Sequence, residues 1–229
     1  MTTVCVLVPV LGRPHRAAPT AETVRGSDSR ASVLFLCSPG DTDQIAAARA
    51  TGESVIVVPW TNGPGDYARK MNLGYSTARA RHEWVFLGAD DIFFHPGWFD
   101  ACLREHVRAA YACVVGTNDL GNQRTMRGHH STHTLVHRGY LDCGTIDEDG
   151  KILHEGYSHN YVDDEFIQTA QARRTYAHAH DALVEHLHPN WRKGSDDATY
   201  QLGMQRFQDD RILYERRRAL WEPLWRRRG

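Results

Sequence analysis

The chain has 229 residues, 41% of them hydrophobic, with 27 basic and 28 acidic side chains. That length suffices for one domain with its own core, without disulfides or a structural metal, and a formal charge of −1 argues against a surface wholly coated for nucleic acid. The longest apolar stretch, Val4 to Leu11, falls far short of the ~20 residues of a membrane helix and lacks the marks of a signal peptide, so the sequence predicts a cytoplasmic protein with no membrane partner.

Short apolar runs punctuate the first half. Thr3–Pro9, Ser32–Ser38, Ser54–Pro59, Trp84–Gly88 and Ala112–Gly116 are β-branched, continuous and bounded by Pro, Gly or Asp, as expected of strands buried on both faces. Between them Asp41–Thr51, Asp66–Arg81 and Pro96–Ala110 read as helices, with Asp41 and Asp66 as N-caps and Pro96 in a first turn. This alternation predicts an α/β fold, a mostly parallel sheet with helices on both faces. After Thr117, residues 118–131 read as a long loop rich in Gly, Asn and His. Thr132–His137 and Leu183–Leu187 read as strands and Tyr161–Arg173 as a helix. A long Arg-rich amphipathic helix is expected from Asp196 to about Trp221, ended by Pro223. One domain fits, with a ligand-binding half (1–116), a second half (117–190) and a C-terminal helical extension (191–229). Five dispersed cysteines (Cys5, Cys37, Cys102, Cys113, Cys143) with no CxxC pair read as reduced thiols.

In an open parallel sheet, ligands bind beyond the carboxyl ends of the strands. Gly12, Arg13, Asp41, Trp60, Asp66, Asp90 and Asp91 all follow strands and so converge on one edge. The G-x-G-x-x-G and G-x-x-x-x-G-K-[ST] phosphate loops are absent. A divalent metal on carboxylates is then the obvious means of holding phosphates, and Asp90 with Asp91 at a strand end suits one.

VLVPVLGRP at the start, GDYARKMNLGYSTARARHEW at residues 65–84 and VFLGADD just after together resemble a GT-A glycosyltransferase of the family 2 kind. The resemblance implies a Rossmann-like GT-A fold and transfer of a sugar from a nucleotide-diphosphate donor, a UDP-sugar first, to an acceptor hydroxyl. It implies Mn²⁺ or Mg²⁺ as cofactor. Donor-binding residues are then Pro9, Arg13, Asp41, Asp66, Asn72 and Asp91. The family's metal-binding Asp falls on Asp90, while its first Asp is replaced by Gly88, with Asp91 available to compensate. His186 and His188, two apart on a strand and so on one side, are further candidate metal ligands. In the VDDEF run, Asp163 is the first candidate for the general base of an inverting transfer and Asp164 the second; the alternative is charge that complements a helix dipole. His129, His130 and His133, with Arg124 and Arg127, lie in or beside the Gly-rich loop, as donor or acceptor contacts or as part of a lid.

The segment from Arg211 to the end holds seven Arg with Tyr214, Trp221 and Trp225 interleaved. It suits either a phosphate backbone or an amphipathic helix whose aromatics pack while its arginines stay solvated. The first alternative admits DNA carrying a hydroxymethylated base as acceptor, as in compact bacteriophage glycosyltransferases that act in the host cytoplasm. Two other readings stand beside transfer: a nucleotidyltransferase, which lacks its Gly-rich loop and Lys here, and a non-catalytic nucleic-acid-binding module of the same fold.

Overall fold

The computed structural model describes residues 2–226. Strand β1 (Val4–Val10) pairs in parallel with β2 (Ala31–Cys37) on one side and β4 (Trp84–Leu87) on the other, and β3 (Ser54–Val57) extends β2 at the edge. Beyond β4 lie β7 (Thr134–His137), β6 (Val114–Asn118), β8 (Tyr176–His186) and β5 (Ile92–Phe94), completing one eight-stranded sheet in the order β3-β2-β1-β4-β7-β6-β8-β5. Only β5 and β7 run against the rest.

Alternation along β1 sends side chains into two layers. Val4, Val6, Val8 and Val10 join α1 (Ala17–Ser27), α2 (Thr42–Ala50) and α4 (Trp98–Arg108). Cys5 and Leu7 meet α3 (Asp66–Ala78) and α6 (Val162–Ala172) on the opposite face. The chain crosses β1→α1→β2→α2→β3 on one face, then returns through α3 on the other to place β4 beside β1. The order therefore reverses between β1 and β4, whose carboxyl ends open a crevice.

The structure departs from the sequence-based expectations in five elements, one of them the short strand β5, which was not foreseen. Helix α1 is not foreseen: its buried face of Ala17, Thr20, Ala21 and Val24 carries a weak apolar signal, and Pro19 is accommodated in its first turn, where no N–H is needed. Strand β8 begins seven residues before the expected Leu183, since its Tyr-Ala-His-Ala-His start does not look like core. The loop at 118–131 contains one short helix, α5 (Gln123–Met126). The single C-terminal helix is two, α7 (Ala198–Gln205) and α8 (Phe207–Arg226), broken at Arg206; Pro223 lies within the last turn of α8 rather than ending it. Residues 227–229, and with them Arg227 and Arg228 of the expected basic tail, lie outside the described residues.

Helix α8 is bound as an amphipathic element. Trp221 is buried, Arg217 makes a two-pronged bond to Glu165 and pairs with Asp147, and Arg218 pairs with Glu215 and Glu222. Burial pushes the Cys5 and Cys37 thiols up to about 12 and about 11, which makes them poor nucleophiles.

Candidate active site

The crevice between β1 and β4 is a cavity of about 790 Å³. Its donor-side wall begins where β4 ends, at Asp90 and Asp91. Gly88 has no room for a side chain: a Cβ there would meet the Leu7 carbonyl oxygen at 2.9 Å and Val6 Cγ1 at 3.1 Å. Close packing of β4 on β1 is thus the physical reason the usual first acid is missing. Asp90 turns toward Arg13, whose Nη1 donates to it at 3.0 Å. The same guanidinium gives two hydrogen bonds to Asp197 and stacks over Tyr200 with 4.2 Å to the ring centre. Burial pushes the Asp90 carboxyl up to about 6, against the pull of Arg13.

Asp91 behaves differently. Its Oδ2 accepts from the Tyr200 hydroxyl at 2.6 Å and lies 3.2 Å from His186 Nε2. Burial works to raise its pKa, but the hydrogen bonds with His186 and Tyr200 hold it well below the usual carboxylate range. Asp91, His133 and His186 form a group whose ligand atoms all lie within 4.8 Å of one another. Both ring nitrogens of His133 are buried without a hydrogen-bond partner, an arrangement that costs ~1–3 kcal/mol when nothing fills it. Burial and the neighbouring His186 push His133 down to about 4, so it is neutral and its lone pair available. One carboxylate and two imidazoles, one of them orphaned, fit a divalent cation.

A second group stands in the same cavity at the start of α6. Asp163 Oδ2 lies 3.2 Å from His130 Nε2, and Asp164 accepts from Arg124 Nη2 at 2.7 Å. Burial opposes charge on all three. The bond to His130 nevertheless holds Asp163 below its ordinary range, and Asp163 in turn lifts His130 above its own. Asp164 goes the other way, raised by burial and by its neighbour Asp163. The result is a carboxylate held ionised by a histidine that takes a proton more readily than a free imidazole. Between the two groups lies Tyr67 of α3, whose pKa is raised by burial and then by the charges of Asp163 and Asp91.

Of the residues singled out from sequence, Pro9, Arg13, Asp66, Asp90, Asp91, Asp163, Asp164, His186 and His188 line this cavity. His188 stays outside the three-residue metal group, its ring against Tyr200 and His186 at 4.6 and 5.0 Å. Asp90 is also outside that group, being turned to Arg13. Asp66 is engaged by Lys70 Nζ at 2.7 Å and by the Trp60 indole at 2.9 Å. Two residues do not line the cavity. Asp41 makes no cap bond to α2 and instead accepts from the Gly12 N–H at 2.8 Å, and Asn72 clamps the 152–155 segment through Leu153, Ile152 and Glu155. Tyr200 and Asp197 were not foreseen. They lie on and before α7, 109 and 184 positions from their partners Asp91 and Arg13, and no local pattern announces such a pairing.

The fold, a curled, mostly parallel sheet with acids at the end of the strand beside the switch point, is similar to the GT-A fold of solved glycosyltransferases. Among solved structures, glucosyl-3-phosphoglycerate synthase from Mycobacterium tuberculosis, in complex with Mn²⁺, UDP-glucose and phosphoglyceric acid, superimposes with a TM-score of 0.59 at 13% identity over 88% of this chain and 75% of its own. The mannosyltransferase PcManGT from Pyrobaculum calidifontis, in complex with GDP-Man and Mn²⁺, gives 0.61 at 12% identity over 80% of this chain and 56% of its own. TarS of S. aureus gives 0.56 at 15% identity over 80% and 36%. No protein-family model and no curated protein matches the sequence. Among the described residues no helix is long and apolar enough to cross a membrane.

Proposed function

We propose that this chain is a metal-dependent glycosyltransferase that moves a hexosyl group from a nucleoside diphosphate, UDP first, to an acceptor hydroxyl with inversion. The observation that carries this reading is one cavity at the switch point holding both a cation-ready group (Asp91, His133, His186) and an ionised carboxylate backed by histidine (Asp163 with His130). The solved structures of the same fold that contain Mn²⁺ with UDP-glucose or GDP-Man support it.

Asp91, His133 and His186 would hold the cation, and two imidazoles favour Mn²⁺ over the harder Mg²⁺. That ion supplies Lewis-acid neutralisation of the leaving diphosphate. Asp163 accepts the proton of the attacking hydroxyl as its oxygen bonds to the anomeric carbon, and the diphosphate departs with the electron pair of the broken C–O bond. His130 keeps Asp163 ionised before that step and oriented during it. Arg13, fixed by Asp197 and Tyr200, keeps the buried Asp90 paired beside the metal group.

The arginine-rich tail lends a DNA acceptor little support, because Arg217 and Arg218 are spent on internal ion pairs. A small hydroxyl compound is therefore the first acceptor class to screen. The test is melting temperature with UDP-, GDP-, CDP- and TDP-sugars, in Mn²⁺ or in EDTA. A donor at 100 times its Kd adds ~2.7 kcal/mol, which for a chain of this size is a rise of roughly 5–10 °C. A rise with one donor, abolished by EDTA, is expected. No rise with any donor removes the transferase reading.

A further inference from the structure

The wall of the cavity beside Asp163 has a composition that the transfer reaction alone does not explain. Tyr161, the residue before α6, and Phe207, the first residue of α8, both line the cavity with ring centres 5.3 Å apart and planes at 47°. Leu202 of α7, 47% exposed, belongs to the same lining. Tyr161 holds a φ of 64°, a left-handed conformation that L side chains avoid and that concentrates at functional sites. A Gly or Asn would occupy that position without strain, so the retained aromatic ring points to a use for it.

The backbone that presents this wall is fixed from behind. Asp210, buried in α8, accepts the N–H groups of Ser158, His159 and Asn160 at 2.7, 2.9 and 2.8 Å, and the Asn160 side chain donates to the Gly203 carbonyl at 2.9 Å. His159 is exposed to the cavity, with its ring edge-on to Tyr67. Its imidazole, able to donate and to accept, stands in the same lining as the proposed base Asp163.

We infer that this wall is the acceptor subsite and that the acceptor is a pyranoside, its flat C–H face against Tyr161 and Phe207 and a hydroxyl on His159; this rests on the transferase reading above. An apolar face with few convergent polar groups is how small-molecule sites fix orientation, and a pyranose ring presents just such a face between equatorial hydroxyls. The wall does not suit the two other acceptor chemistries. A compact anion would meet Asp163, with Arg124 already held by Asp164 and Arg206 at the cavity margin as the remaining cation of this wall. A flipped nucleobase is gripped between parallel faces, whereas these two rings are tilted.

The experiment is saturation-transfer NMR on the full chain with Mn²⁺ and UDP or GDP, whichever raises the melting point. The probes are the methyl glycosides of glucose, galactose, mannose and N-acetylglucosamine, with sorbitol, 3-phosphoglycerate and 5-hydroxymethyl-2′-deoxycytidine beside them. At least one pyranoside should receive saturation on the protons of one ring face and sorbitol none. Phe207→Leu and Tyr161→Gly should weaken that binding about tenfold, with Tyr161→Phe retaining it, while calorimetric binding of the Mn²⁺–nucleotide stays unchanged in all three. Saturation of phosphoglycerate or the nucleoside in place of the pyranosides, of no probe at all, or equal binding by the Leu and Gly variants overturns the inference. Failure of the nucleotide itself to bind overturns instead the transferase reading on which it rests.

Discussion

Two groups of histidine and carboxylate stand in one cavity, made from the same residue types yet held in different protonation states. Around Asp91 the histidine is neutral: His133 is buried, without a hydrogen-bond partner, and pushed down to about 4. Around Asp163 it is charged more readily than a free imidazole, because His130 Nε2 sits on the carboxylate at 3.2 Å. The difference lies in what each ring touches. His133 is buried against another imidazole, His186, at 4.8 Å between ring centres, and both burial and that neighbour disfavour a proton on it; His130 meets an acid. One arrangement leaves lone pairs for a cation, and the other leaves a carboxylate to receive a proton.

The most severe way to break that contrast is Asp163→Asn. Removing a general base costs ~10²–10⁴-fold in turnover, and the expected loss lies in kcat with Mn²⁺–donor binding intact, read by initial rates and calorimetry side by side. A loss below tenfold would transfer the base role to Asp164, whose carboxylate is instead tied to Arg124. Next comes Asp91→Asn, which should erase the Mn²⁺-dependent part of the melting-temperature rise, roughly 5–10 °C at saturating donor. Asp90→Asn should leave most of that rise, because Asp90 answers to Arg13 and not to the metal group. Equal losses from the two substitutions would mean that both acids ligate.

His133→Leu sharpens the comparison by giving two effects of opposite sign. The apolar side chain of similar size removes two buried nitrogens that have no partner, so the metal-free protein should gain ~1 kcal/mol in denaturant unfolding. The Mn²⁺ response should disappear in the same variant. A destabilised metal-free protein would show that His133 already has a partner, such as water, and would weaken its candidacy as a ligand.

How far the sequence reaches follows the same divide. The β1–β4 half is written in short continuous apolar runs ended by Gly, Pro and Asp, and every strand there was predicted to within two residues. Asp90, Asp91, His186 and Asp163 were placed in the pocket because strand ends and helix starts follow from local pattern. What distinguishes Asp90 from Asp91 is not local. It depends on Arg13 and Tyr200, brought in from positions 77 and 109 residues away. Asn72 and Asp41 show the converse: the resemblance offers both as donor contacts, yet tertiary packing commits both to tying loops. His133 was named as a loop contact or lid residue and not as a metal ligand, since the orphaning of its ring is a property of burial.

The gentlest test concerns pH and separates the two histidines by sign. His130 titrates above its free value when folded, so its ion pair with Asp163 contributes stability that is complete below about pH 6.5 and is lost as pH rises through the higher folded value. Asp163, held low, contributes in the opposite sense: its share is present above about pH 3.9 and lost only as pH falls through its depressed folded value. Between pH 6 and 9 the Asp163 term is therefore constant, and the His130 term contributes a decline, opposed near pH 6.5 by histidines held neutral in the fold, His133 among them. His130→Gln keeps a hydrogen-bond donor toward Asp163 without a titrating proton and should flatten that decline, measured as urea midpoints across the range. His133→Leu should steepen the decline between about pH 6 and 7.5, because a ring held neutral in the fold and protonated when unfolded adds stability as pH rises through the free value near 6.5. A slope that survives His130→Gln but vanishes with His133→Leu would reverse the assignment and make the metal-side ring the charged one.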